Sequence, residues 1–197
     1  MKNFKAFDYN TSFDILYNSF KNNTDKKGDF IIVVGANGSG KSTYIANLLK
    51  TNDIDIRYIN ADIVEKTLFS NIDDDKQRMI TSMEYTKNIM EQAIENRQSV
   101  IYETVFSHPS KLDLVKKAIE NGYNVKAIYI KTNNYNINIS RVKKRASQGG
   151  HDVPEEKIIS RYPRVLSNVK ILEGIVDDFT VFDNSKEKST VVLEKNV

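Results

Sequence analysis

The chain has 197 residues, 40% of them hydrophobic and 28% charged, with a formal net charge of +3. That is the size and balance of one globular α/β domain with room for a proper core. It has no cysteine and only two histidines, His108 and His151, which excludes disulfides and thiol catalysis and argues against structural zinc. No apolar run approaches the ~18 residues of a membrane span. The segment from Met1 to Asp8 lacks a signal-peptide core, so a cytoplasmic location is expected.

In chain order, Ser12 to Phe20 reads as a short amphipathic helix and Asn22 to Asp29 as a polar loop. Phe30-Ile31-Ile32-Val33-Val34 is a buried strand, and Ser42 to Leu49 a helix with an apolar face. Asp55 to Asn60 is a strand ending in Asn60-Ala61-Asp62. A long helix is expected from the Asp73 region to Asn96, with Ile80, Met83, Met90 and Ile94 as its core stripe. Asp73-Asp74-Asp75 reads as a solvated helix start, where carboxylates are favoured.

Ser99 to Tyr102 is a strand ending at Glu103-Thr104. Pro109 fits the first turn of a helix that Gly122 terminates, with His108 at its start. Val125 to Ile130 is the next strand, and Tyr135 to Ala146 a helix broken at Gly149-Gly150. Pro154 starts another helix, with Asp152 as the expected N-cap and Glu155 completing a capping box. Phe179 to Phe182 and Thr190 to Leu193 lie too close for a helical crossover and should pair as a hairpin. Strands separated by helices imply a mostly parallel sheet covered on both faces. With no repeat or linker, residues 1–197 read as a single domain.

Between the first strand and its helix stands Gly35-Ala36-Asn37-Gly38-Ser39-Gly40-Lys41-Ser42, which matches G-x-x-x-x-G-K-[ST]. Glycines let backbone N–H groups turn inward around a phosphate, and the helix N-terminus adds partial positive charge. Lys41 reaches the β- and γ-phosphates, and the Ser42 hydroxyl is placed for Mg²⁺. The expected ligand is a nucleoside triphosphate. No LSGGQ-like or guanine-reading N-K-x-D pattern occurs, which points to adenine.

Ligands of such sheets gather at the carboxyl ends of the strands. Asn60, Asp62, Glu103, Thr104, Asp183 and Asn184 are therefore site candidates. Asp62 should face the γ-phosphate as a general base, its competing role being an N-cap for a helix starting near Ile63. Glu103 could orient an acceptor or support magnesium through water; alternatively, backbone amides hold it. Thr104 would hydrogen-bond an acceptor, and Asn184 would border the base. No clean Walker B strand is present.

Arg141 to Arg145 carries four positive charges, and Arg161 and Arg164 follow. Arg141 and Arg145 share one helix face, as do Arg161 and Arg164. Joined through Gly149-Gly150-His151, the two helices describe a closing lid over about residues 141–164 that brings guanidinium groups to the phosphates. His151 would donate to a phosphate or substrate oxygen. Lys143 and Lys144 fit a solvated face, and a nucleic-acid groove is the competing reading of the basic stretch.

The ordered set Gly35 to Thr43, Asn60-Ala61-Asp62, Glu103-Thr104-Val105-Phe106-Ser107, Gly149 to Pro154 and Arg161-Tyr162-Pro163-Arg164 resembles the zeta-toxin-like P-loop kinases, in particular their short stand-alone branch. The resemblance spans roughly Phe30 to Ser185. It implies a three-layer, nucleoside-kinase-like P-loop fold with a helical lid, phosphoryl transfer from ATP, and an Asp base matching Asp62. It further implies acceptor contacts at Glu103 and Thr104, although the glycine the family carries between them is missing. Arg141 matches one lid arginine, while the second falls near His151. The best-known members phosphorylate UDP-N-acetylglucosamine and pair with a separate antitoxin chain. The leading expectation is a kinase acting on a small-molecule hydroxyl, followed by a polynucleotide-end kinase or a non-catalytic ATP switch.

Overall fold

The computed structural model describes residues 28–51, 56–186 and 190–196. The helix expected over Ser12 to Phe20 and all but the end of the loop after it lie outside those residues. Six strands form one sheet in the order β2-β3-β1-β4-β5-β6. They are β1 (Asp29–Val34), β2 (Arg57–Asn60), β3 (Val100–Thr104), β4 (Asn124–Lys131), β5 (Asp178–Asp183) and β6 (Thr190–Asn196). The first five run parallel, and β6 pairs antiparallel with β5, which is the expected hairpin.

The described helices are α1 (Lys41–Thr51), α2 (Ala61–Leu68), α3 (Asp75–Glu95), α4 (Ser110–Glu120), α5 (Tyr135–Ala146) and α6 (Glu155–Glu173). Strand β1 is wholly buried between β3 and β4, so it is apolar on both faces rather than alternating. Its residues split by parity between two cores. Phe30, Ile32 and Val34 join Met90, Ala93 and Ile94 of α3, Val115 of α4, and Val165, Val169 and Leu172 of α6. Ile31 and Val33 face Tyr44, Ile45 and Leu48 of α1 with Phe182. The result is the expected three-layer arrangement, and it leaves the P-loop at the carboxyl edge of the sheet centre.

Two local expectations need correction, and one competing reading falls. Met90 and Ile94 are buried, but Ile80 and Met83 are exposed, because the first half of α3 extends past the sheet and packs on α2. Asp152 does not cap α6: its Oδ1 accepts only from Val153 N, at 2.8 Å, and Pro154 holds the cap position without a side-chain bond. Asp62 is not a cap either. Helix α2 starts at Ala61, and Asn60 Oδ1 accepts from the amides of Asp62 and Ile63. Elsewhere the local chemistry follows the sequence: Asp74 caps α3 through Gln77 N, and His108 Nδ1 accepts from Ser110 N.

Candidate active site

Five parallel strands end on one edge, and the loop after β1 turns there into α1. Gly35, Gly38 and Gly40 all take positive φ. A Cβ at Gly35 would lie 2.5 Å from the Ile130 carbonyl, and one at Gly38 would lie 2.6 Å from the Asn138 carbonyl. No other residue fits either place, so the loop wraps tightly against β4 and α5.

Side chains from three further elements brace this loop. Asn138, fully buried on α5, donates to the Asn37 carbonyl at 2.7 Å and accepts from the Thr132 hydroxyl at 2.6 Å. Asn184, after β5, donates to the Ser39 carbonyl at 2.7 Å. Its amide group thus braces the loop backbone. Arg161 donates to Asn37 Oδ1 at 3.2 Å. Asn138→Ala would leave the Asn37 carbonyl and the Thr132 hydroxyl unpaired. We expect it to cost about 1–3 kcal/mol in denaturant-midpoint stability and to weaken nucleotide binding in titration.

Lys41 is buried, and its Nζ donates to the Ala36 carbonyl at 3.0 Å. Burial pushes the ammonium below its ordinary pKa; Glu103 and Asp62 pull it upward, and Arg145 pushes it down. Two buried polar atoms among the described residues have no hydrogen-bond partner, Ser39 Oγ and Arg141 Nη1. Burial lowers the Arg141 pKa. A desolvated guanidinium nitrogen left unpaired is suited to an anion.

Glu103 is the last but one residue of β3, next to β1, and is 8% exposed. Its Oε1 accepts from Ser42 Oγ at 2.7 Å, and its Oε2 accepts from Asn60 Nδ2 at 2.7 Å and from the Tyr58 hydroxyl. Side chains, not backbone amides, therefore hold it. Burial and then the Glu103 charge push the Tyr58 phenol well above its usual pKa, so it remains a donor. Ser42 and Glu103 present hard oxygens side by side, which fits Mg²⁺ held with phosphate and water oxygens.

Asp62 is exposed in the first turn of α2, and its charge acts on both Lys41 and Arg161. Beside it opens a cleft of about 270 Å³ lined by Asp62, Glu65, Lys66, Ser70, Arg78 and His151. The fold thus brings Asp62 and His151 together from α2 and the glycine connection. Sequence reasoning missed Glu65, Lys66, Ser70 and Arg78. The signal was present in part, since Asp62 and Lys66 stand four residues apart on one face of α2, with Ser70 just past the helix end. Thr104 and Glu103 do not line this cleft; Thr104 Oγ1 instead accepts from Phe106 N at 3.3 Å.

The four lid arginines divide. Arg141 and Arg161 are half-buried, Arg161 against Asn37 of the P-loop, and burial lowers the pKa of both. Arg145 is exposed and donates through Nε to the His151 carbonyl at 2.9 Å, tying α5 to the glycine connection. Arg164 is also exposed, and its Nε bonds back to the Ser160 carbonyl at 3.0 Å. Its charge acts on Arg161. Lys143 pairs with Glu155, which links α5 to the start of α6.

Fold and site together define a P-loop kinase. The chain belongs to the zeta toxin family, whose profile matches residues 15–197. A protein of Haemophilus influenzae (strain ATCC 51907 / DSM 11121 / KW20 / Rd), described as uncharacterized, is 30% identical over 139 residues, 67% of this chain and 91% of that one. Among solved structures, the PezAT chromosomal toxin–antitoxin system of Streptococcus pneumoniae aligns with a TM-score of 0.66 and 13% identity, covering 94% of this chain and 80% of that one. A chain of the Pnkp1/Rnl/Hen1 RNA repair complex aligns with a TM-score of 0.62 and 23% identity over 77% of this chain. This chain spans 48% of that one, about half its length. Among the described residues, no helix is long and apolar enough to cross a membrane.

Proposed function

We propose that this protein is an ATP-dependent kinase that transfers the γ-phosphoryl group to a hydroxyl of a small molecule. The observation that carries the reading is the convergence of Lys41, the Ser42–Glu103 pair and Asp62 on one sheet edge, with the Asp62 cleft beside them. A P-loop alone supports nucleotide binding; a carboxylate facing both the P-loop lysine and a cleft adds an acceptor half.

Each residue then has a part. Backbone amides of Gly35 to Ser42, with Thr43 behind them, cradle the phosphates at the start of α1. Lys41, Arg141 and Arg161 neutralise charge on the transferring group, which needs positioning and positive charge more than covalent help. Arg145 shapes the lid through the His151 carbonyl and adds its field at Lys41. Bound Mg²⁺ would supply further charge neutralisation, held by the Ser42 hydroxyl with Glu103 behind it. Asp62 takes the acceptor proton as a bond forms from the acceptor oxygen to the γ-phosphorus and the bond to the β-bridging oxygen breaks. The acceptor sits in the cleft between Asp62 and His151, with Thr104 as a more distant contact. A UDP-N-acetylsugar acceptor and a toxin–antitoxin setting are the finer form of this reading, supported by the family and by the PezAT fold match.

A polynucleotide-end kinase is the second reading, favoured by the likeness to the RNA repair complex. The two separate on acceptor-stimulated turnover. A metabolite extract should accelerate ADP formation well above hydrolysis, with little dependence on salt. If an oligonucleotide with a free hydroxyl end is the better activator, and activation falls steeply as salt rises, the nucleic-acid reading replaces the first.

A further inference from the structure

The loop after Glu103 contains the strained residue Phe106, with φ of +62°. Among the described residues only Arg97 joins it as a non-glycine with positive φ. A bulky side chain rarely takes that left-handed conformation, and it persists only where the surroundings over-determine it. Here three contacts do so. The Phe106 ring is buried in the main core, its amide donates to Thr104 Oγ1, and its carbonyl accepts from Asn168 Nδ2 at 2.9 Å. Asn168 is itself buried, on α6.

The same helix touches the donor side. Arg161, seven residues before Asn168 and so on nearly the same face, donates to Asn37 of the P-loop. Tyr162 donates to the Thr132 carbonyl at 2.5 Å, and Thr132 bonds Asn138, the brace of the same P-loop residue. Val165, Val169 and Leu172 anchor the rest of α6 in the core that holds Phe106. Helix α6 is therefore a strap fastened to the P-loop at one end and to the Thr104–His108 loop at the other.

We infer that Asn168 is a positioning residue for phosphoryl transfer: by fixing the Phe106 carbonyl it holds the acceptor-side loop beside Glu103 and Thr104 in its strained form. The inference rests on the kinase reading above. Without the amide, the buried Phe106 carbonyl has no donor and the backbone can leave the left-handed region, releasing the Thr104 side chain that its amide holds. The nucleotide contacts at Asn37, Lys41 and Ser42 do not use Asn168, so acceptor and donor effects should separate.

The test uses the full chain with Asn168→Ala and the nearly isosteric Asn168→Asp, which keeps volume but turns an acceptor oxygen toward the carbonyl. Three readouts are compared with wild type: hydrogen exchange of amides 104–108, affinity for a fluorescent ATP analogue, and transfer of labelled phosphate to a metabolite extract. Faster exchange confined to that loop, unchanged analogue affinity, and a transfer rate down by about tenfold or more support the inference. Exchange and transfer both unchanged in Asn168→Asp overturn it, as does a loss of analogue affinity equal to the loss of transfer. If Asn168→Ala does not fold, the Asp variant carries the test. Failure of the kinase reading is seen separately, as a wild-type protein that hydrolyses ATP yet labels nothing in the extract; the inference falls with it.

Discussion

Asp62→Asn is expected to lower phosphoryl transfer by about two to four orders of magnitude, the usual contribution of a positioned general base. Binding of ATP should be nearly unchanged. The substitution is clean for structural reasons. Asn60, not Asp62, caps α2, and the Asp62 side chain is exposed, so the helix start survives. What is lost in the fold is the attraction of one carboxylate to the helix N-terminus, about 0.3–1 kcal/mol. A stability change of that size cannot produce the expected rate loss. Steady-state transfer, with nucleotide affinity measured by titration, checks the expectation; a variant retaining wild-type transfer would remove Asp62 from the chemistry.

Lys41→Ala is the second large effect. The ammonium is buried, and its bond to the Ala36 carbonyl is made within the loop that receives the phosphates. Exchanging that bond for phosphate contacts lets it follow the γ-phosphoryl group. Removing it should reduce transfer by about two to three orders of magnitude, as loss of a preorganised charge does. Unlike Asp62→Asn, it should also weaken ATP binding. If phosphoryl transfer underlies toxicity, expression of this variant should leave growth untouched where the wild type arrests it. Persistent arrest would detach toxicity from the P-loop.

The two variants together partition the site. Loss of transfer with binding intact belongs to the acceptor half, and loss of both belongs to the donor half. Tyr58 lies between them, since its hydroxyl holds the Glu103 carboxylate that in turn accepts from Ser42. Tyr58→Phe should leave Asp62 chemistry in place while raising the magnesium concentration needed for half-maximal transfer, measured by metal titration.

The P-loop, the strand-end carboxylates and the hairpin of β5 and β6 were all legible in the sequence, because each is a local pattern with a local cause. Glycine spacing, apolar strand runs and the short Phe182-to-Thr190 interval carry that information directly. The Ser42–Glu103 contact was not legible. It joins residues 61 positions apart and depends on β3 lying beside β1, an order that periodicity cannot reveal. Asn138 and Asn168 were missed for a related reason. An asparagine in a helix looks like a poor helix former until the carbonyl it satisfies is known. Met83 failed in the opposite sense: its helical spacing was right, but α3 outruns the sheet, so the stripe reaches solvent. Asp152 had the spacing of a capping box, yet Pro154 fixes the cap backbone and the box does not form. The cleft lining was half visible, with Asp62 and Lys66 on one face of α2, and Arg78 and His151 brought to it by folding.

The most direct test of the central claim follows the phosphoryl group itself. Wild-type protein, ATP carrying an isotopic label in its γ-phosphoryl group, magnesium and a metabolite extract are incubated, and labelled products are resolved by mass spectrometry. The predicted result is a discrete small molecule carrying the labelled phosphoryl group on a hydroxyl oxygen, absent with Asp62→Asn. Label found only as inorganic phosphate, or equally abundant on the same product with Asp62→Asn, would contradict it.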